Sequence, residues 1–220
     1  MTDFKTARRM MVDGQVRPND VTDPRLIGAF LEVPREHFVP AAQAAIAYLD
    51  LDVPVLQGAE PRYLIKPMLL AKLLSAAGIK EGEHVLDVGS AIGYSSAILS
   101  KIAGSVVALE PDAELSKLAQ DNLRATGSSG IAAVVGPLSK GWPGQSPYDV
   151  IVLNGATEIA PLELCKQLKD GGRLVGVLGR GPASKAMLYT KSGDDISGRI
   201  IFDAAAPLLP GFAKVPAFAF

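Results

Sequence analysis

The chain has 220 residues, 48% of them hydrophobic, and a formal net charge of −1. That length suits one large domain, or one domain with an extension, and the charge leaves no basic field for nucleic acid. The one cysteine, Cys165, excludes an internal disulfide and fits a reducing cytoplasm. No apolar run approaches membrane length. The amino terminus lacks the apolar core of a signal peptide.

Residues 3–17 read as a helix with Phe4, Met10 and Met11 on its apolar side and Arg8 and Arg9 on a solvated face. Pro18 and Asn19 break it. A second helix starts with Asp23 as N-cap and Pro24 at its first position, and Leu26, Ile27, Phe30 and Leu31 recur at helical spacing. Pro34 ends it. A short alanine-rich helix follows Pro40. The segment Tyr48–Lys66 is long and proline-bearing, and loops of that length are often functional. Pro67–Ala77 reads as a helix leading into a sheet.

The stretch His84–Tyr94 organises the rest of the chain. Val85, Leu86 and Val88 suit a strand buried on both faces, Asp87 sits near its end, and Gly89 and Gly93 frame a turn into a helix over 93–103. Strand, glycine turn and helix at a sheet's carboxyl edge form a nucleotide site in open α/β folds. A dinucleotide fingerprint needs Gly-x-Gly-x-x-Gly, but here Ala91 and Tyr94 hold the second and third glycine positions. Asp87 would repel a pyrophosphate. It suits the ammonium and sulfonium of S-adenosylmethionine. The next strand, 105–110, ends in Glu110, whose carboxylate is placed to accept hydrogen bonds from ribose hydroxyls of any nucleoside. A nicotinamide-dependent reductase is the alternative that Asp87 and Tyr94 oppose.

Alternation continues with helix 113–125, strand 131–135, an irregular segment containing Pro137, Trp142 and Pro143, strand 149–153, helix 160–168, and strand 173–178 after Gly171 and Gly172. Strands alternating with helices imply a parallel sheet covered on both faces, the α/β class. Residues 186–190 and 196–202 read as a hairpin, hence an antiparallel edge. The tail from Leu208, with Phe212, Phe218 and Phe220, is expected to pack on its own domain. Cys165 falls in an amphipathic helix. His37 and His84 lack metal-ligand spacing, so no metal is expected.

The order and spacing of several motifs resemble the protein-L-isoaspartate O-methyltransferase family over most of the chain. They are Met-Val-Asp-Gly-Gln-Val at 11–16, Val-Pro-Arg-Glu-His-Phe-Val-Pro at 33–40, Ala-Tyr-Leu-Asp at 47–50, Val85–Gly93, Tyr148–Leu153, Gln167–Leu168 and Gly171–Arg173. The resemblance implies a Rossmann-like S-adenosylmethionine-dependent methyltransferase fold: a seven-stranded, mostly parallel sheet with an antiparallel edge and an N-terminal helical extension. The extension and acceptor-side loop span 1–66 and the core 67–220. It implies methylation of the free carboxylate of isoaspartyl residues in damaged proteins. Asp87, Gly89, Ser90 and Gly93 would line the methionine end, Glu110 would hold the ribose, Pro137 and Leu138 would flank the adenine, and Ile92 and Pro111 would also belong to the donor-binding set.

Three departures stand out. Where the family has Gly-Gln-Thr-Ile-Ser-Gln-Pro, this chain has Pro61-Arg62-Tyr63-Leu64-Ile65-Lys66-Pro67, so Tyr63, Ile65 and Lys66 occupy the acceptor-motif positions. Arg62 or Lys66 is a candidate partner for a substrate carboxylate, with solvent exposure as the alternative. Pro137 replaces the acid after Gly136, and Ala91 replaces the middle glycine of the donor turn. Other acceptors, such as a small molecule or another protein side chain, therefore stay open, as does a donor-binding interaction module without catalysis. The expected protein is cytoplasmic, monomeric or homodimeric, and binds neither nucleic acid nor membrane.

Overall fold

The computed structural model describes residues 3–214. The elements, in chain order, are α1 (Phe4–Met11), α2 (Pro24–Glu32), β1 (Val53–Leu56), β2 (Arg62–Leu64), α3 (Pro67–Ala77), β3 (His84–Val88), α4 (Tyr94–Leu99), β4 (Ser105–Glu110), α5 (Ala113–Ala125), β5 (Ile131–Val135), β6 (Tyr148–Thr157), α6 (Leu162–Cys165), β7 (Leu168–Leu178), β8 (Lys185–Ser192) and β9 (Asp195–Asp203). The main sheet has seven strands in the order β5-β4-β3-β6-β7-β8-β9. β5 to β7 run parallel, while β8 and β9 add antiparallel at one edge. Chain order reverses at β3, which has β4 on one side and β6 on the other. The carboxyl end of such a strand is where open α/β sheets leave a crevice.

Strand parity sorts the core into two layers. Val85, Val106, Val150 and Val152 join one buried cluster with α1 to α4, and that cluster runs without interruption into the amino-terminal segment through Met11, Phe30 and Phe38. Leu86, Val107, Ile151 and Leu153 join the other, with Leu164, Cys165, Leu209 and Phe212. Asp23 caps α2 by accepting from the Arg25 amide at 2.8 Å, with Pro24 in the first turn.

Several sequence expectations need correction. The first helix gives way after Met11 to a wider turn over Val12–Val16, and Met10 is exposed while Met11 is buried. Leu31 also lies at the surface. Arg8 is not a solvated face residue: it donates to the Tyr48 hydroxyl, the Glu36 carboxylate and the carbonyls of Leu31 and Glu32. The helix after Gly93 stops at Leu99, and that expected over 160–168 shrinks to α6, because β7 starts at Leu168. The tail does pack on its own domain through buried Leu209 and Phe212. Phe218 and Phe220 lie outside the described residues.

Candidate active site

The turn after β3 is closed onto β4. The amides of Gly89 and Ser90 both donate to the Leu109 carbonyl, at 2.8 and 3.2 Å, and the Gly93 amide donates to Ser90 O at 2.8 Å. Gly89 has φ +76 and Ala91 has φ +50. The left-handed conformation at Ala91 costs a residue with a Cβ roughly 1–2 kcal/mol. It persists here because the Ala91 amide donates to Glu110 Oε2 at 2.8 Å.

Asp87 lies beneath this turn, wholly buried. Ser95 and Ser96, at the start of α4, donate to its Oδ2 at 2.7 and 2.5 Å, and Asn154 of β6 donates to its Oδ1 at 2.5 Å. Burial raises its pKa, and the three donors pull the other way. The sequence suggested that Asp87 faces a cationic ligand. The structure instead turns its carboxylate into the protein, where it ties β3, α4 and β6 together behind the turn.

Glu110, the strand-end acid of β4, is likewise completely buried. Arg62 grips it with two parallel bonds, Nε to Oε1 and Nη2 to Oε2, both 2.9 Å. The Arg62 side chain is only 3% exposed. Strand alternation explains its direction: in β2, Arg62 and Leu64 point inward and Tyr63 points outward. A Cβ placed on Gly89 would lie 2.9 Å from Arg62 Nη2 and 2.9 Å from Leu209 Cδ2. The glycine turn is thus covered by one side chain from β2 and another from the carboxyl-terminal segment.

A void of about 10 Å³ remains at the turn, lined by Tyr63, Leu64, Ile65, Gly89, Ser90 and Ala91 among others. That is room for about one water molecule. On the other side of Arg62 a cavity of about 290 Å³ is lined by Gln57, Glu60, Pro111 and Asp112. Beyond Tyr63 lies a groove of about 780 Å³, formed by Asp52, Glu60, Tyr63, Arg180 and the segment Ala206–Gly211.

The acceptor-motif positions are held from below. Arg35 is fully buried and donates to Ala47 O at 2.7 Å and Ile65 O at 2.9 Å, with its guanidinium carbon 4.7 Å from the centre of the Tyr94 ring. Asp52 accepts from the Lys66 amide at 2.9 Å and Asp50 from the Met68 amide at 3.0 Å, which caps the entry to α3. Tyr63 faces both groove and void, Ile65 is buried against the void, and Lys66 belongs to neither lining.

The remaining sequence candidates divide. Pro111 lines the 290 Å³ cavity, and buried Leu138 faces the turn, its Cδ1 3.6 Å from the Cβ position of Gly89. Pro137 precedes it and is exposed. Gly93 faces α5: a Cβ there would meet Ala119 Cβ and Leu123 Cγ at 3.3 Å. Ile92 joins the hydrophobic core, and its carbonyl accepts from Asn122 at 3.1 Å. Cys165 is buried, which pushes its thiol up to about 11, so it is no thiolate nucleophile at neutral pH. Sequence reasoning missed Leu209, Asn154 and the pairing of Arg62 with Glu110. The paired serines 95 and 96 at the start of α4 were the available signal that Asp87 is engaged internally.

These residues fit a nucleoside donor in kind. They provide a strand-end carboxylate, a turn that carries no Cβ at Gly89, and a nearby cavity. In the conformation seen, Arg62 and Leu209 stand in that place.

The protein-L-isoaspartate(D-aspartate) O-methyltransferase family model matches residues 7–205. A Koribacter versatilis protein-L-isoaspartate O-methyltransferase is 36% identical over 175 residues, covering 80% of this chain and 78% of the relative. A Rhodopseudomonas palustris protein-L-isoaspartate O-methyltransferase 1 is 34% identical over 219 residues, covering 97% and 88%. A solved protein-L-isoaspartate O-methyltransferase superposes with a TM-score of 0.80 at 26% identity, over 93% of this chain and 66% of that one. A Plasmodium falciparum structure in complex with S-adenosyl-L-homocysteine gives 0.76 at 17% identity, over 95% and 99%, and speaks for the fold alone. The chain belongs to the protein-L-isoaspartate O-methyltransferase family, S-adenosylmethionine-dependent enzymes whose methylation of isoaspartyl residues serves protein repair.

Proposed function

We propose that this chain holds S-adenosylmethionine at the carboxyl end of β3 and β4 and methylates the free carboxylate of isoaspartyl residues presented in the 780 Å³ groove. One observation carries the reading: the acceptor-motif residues Tyr63 and Ile65 and the donor-turn residues Gly89, Ser90 and Ala91 line the same small void. Donor and acceptor sides therefore meet at one point.

Glu110 would accept the ribose hydroxyls, with Pro111, Pro137 and Leu138 beside the nucleoside and Gly89 and Ser90 at the methionine end. Asp87, Ile92 and Gly93 serve by shaping the turn. When bound, the donor supplies an electrophilic methyl group on a sulfonium. An acceptor carboxylate with an ordinary pKa near 4 is already ionised at neutral pH, so the protein needs no general base. Its task is to place one carboxylate oxygen. Tyr63 and Ile65 therefore act by position and shape, and replacing the family's hydroxyls removes an orienting contact, not a proton acceptor. Lys66 acts through the backbone at the entry to α3.

Residues 1–66 then form the acceptor-side extension and 67–220 the donor core. No helix among the described residues is long and apolar enough to cross a membrane. A cytoplasmic monomer or homodimer acting on damaged protein fits the single buried cysteine and the family.

Asp52 and Glu60 line the groove and favour a second reading, in which the acceptor carries no carboxylate, since like charges repel. Transfer of a labelled methyl group to an isoaspartyl peptide, with the aspartyl peptide as control, separates the two. Labelling of the isoaspartyl form alone is expected. No labelling by protein that binds the donor would favour the second reading.

A further inference from the structure

Among the described residues, Arg62 is the basic side chain that pairs with Glu110. It satisfies both carboxylate oxygens, and the Ala91 amide takes a further lone pair on Oε2. The fork and the amide take three of the roughly four acceptor sites of a carboxylate, so a ribose has to compete with Arg62 for the same oxygens. Leu209 completes the closure. It packs against Gly89 on one side and Gly155 on the other, where a Cβ would lie 2.7 Å from Leu209 Cγ. Its own amide is fixed to Ala156 O at 2.9 Å, and the Ala156 amide donates to Pro207 O at 2.7 Å. The carboxyl-terminal segment is thereby laced to the end of β6.

We propose that Arg62 and Leu209 form an internal latch that occupies the donor site of this chain, and that the donor binds by displacing Arg62 from Glu110. The inference rests on the assignment of Glu110 as the ribose acceptor. It makes Arg62 a competitor of the donor and a determinant of donor affinity. The cavity beside Pro111 and the void at Gly89 are separated by the Arg62 side chain, which lines the first and touches the glycine of the second. Its withdrawal joins them into one site.

The binding-competent population is the fraction with the latch open, and the apparent Kd is the intrinsic Kd divided by that fraction. Hydrogen bonds to a charged group are strong enough to lower that fraction by tenfold or more. Titration calorimetry with S-adenosyl-L-homocysteine measures this without any turnover. Arg62→Gln keeps a donor near Glu110 but gives up the bidentate charge pair, and it is expected to tighten binding at least tenfold over the unaltered protein. Leu209→Ala is expected to tighten it by less. Arg62→Lys, which keeps the charge, serves if the glutamine variant does not fold, with a gain of a few-fold expected. Equal affinity in the unaltered protein and all folded variants would overturn the latch.

A further variant separates this failure from failure of the assignment beneath it. Arg62→Gln combined with Glu110→Gln should lose the gained affinity. If the double variant binds as tightly as Arg62→Gln alone, Glu110 is not the ribose acceptor and both conclusions fall. Absence of binding in every variant overturns the latch as well, because opening it would then have exposed no site.

Discussion

The two sides of the site are built oppositely. On the donor side, Glu110 and Gly89 are covered by Arg62 and Leu209, and about 10 Å³ is left. On the acceptor side, about 780 Å³ lies open between the β1–β2 hairpin and the segment Ala206–Gly211. Buried polar groups explain the difference. A carboxylate at the end of a buried strand has to find a partner or carry the cost of an unpaired charge. Glu110 finds one 48 residues away in the chain, in Arg62. The groove has no comparable need, because Glu60 and Arg180 reach water. A ligand entering the groove displaces solvent, while one entering the donor site displaces protein.

The largest effect should come from cutting the pair. Glu110→Ala leaves the Arg62 guanidinium buried without its partner, and breaking a buried ion pair from one side costs about 3–5 kcal/mol. Glu60→Ala, on the groove side, should fall within about 0.5 kcal/mol. Urea unfolding of both variants checks the contrast. Equal costs would mean that the donor side is as open in solution as the groove.

Leu209→Ala comes next. Large-to-small changes at fully buried leucines cost about 2–5 kcal/mol, and this one should lie near the lower end, since Leu209 also borders the open groove. A cost below about 1 kcal/mol would show that the segment does not seal the turn. Ser96→Ala should cost less again, about 1–3 kcal/mol, because Asp87 loses one of three side-chain donors while buried. Its effect should appear in stability more than in ligand affinity, as Ser96 and Asp87 are not among the residues that line the void. A selective loss of ligand affinity would contradict that placement.

Local signals carried most of the frame. Pro67 and Gly78 bound α3, Asp112 caps α5 through the Leu115 amide, and β5 runs over 131–135 as its apolar run suggests. Propensity failed where pairing decides. Gly171 and Gly172 look like a break but sit inside β7, because the strand returns at Tyr148–Leu168 before pairing Val150 with Arg173. The expected helix before them ends at Cys165, and the strand begins at Leu168 after a short turn. At the site, sequence spacing showed that Glu110 and the glycine turn belong together. It did not show what covers them. Arg62 reaches Glu110 because a three-residue strand turns alternate side chains inward, and Leu209 reaches Gly89 from a proline-flanked segment. Both are contacts between parts of the chain that no local period connects.

The smallest predicted effect tests the open side through pH. Asp52 borders the groove and caps the Lys66 amide. Burial raises its pKa, and the bond from Lys66 only partly opposes this. The folded protein therefore holds this proton more tightly than the unfolded chain. Between the ordinary carboxylate value and the raised one, the folded state binds more protons, so stability falls as pH rises through that window. The Asp52 contribution is fully present below the ordinary value and lost above the raised one. Asp52→Asn keeps an acceptor oxygen for the Lys66 amide and removes the titration. Its stability relative to the unaltered protein should therefore increase as pH rises from about 4 toward neutrality, as read by urea midpoints at several pH values. A constant difference across that range would mean that Asp52 is solvated like any surface carboxylate, and that the groove is more open at this wall than its burial indicates.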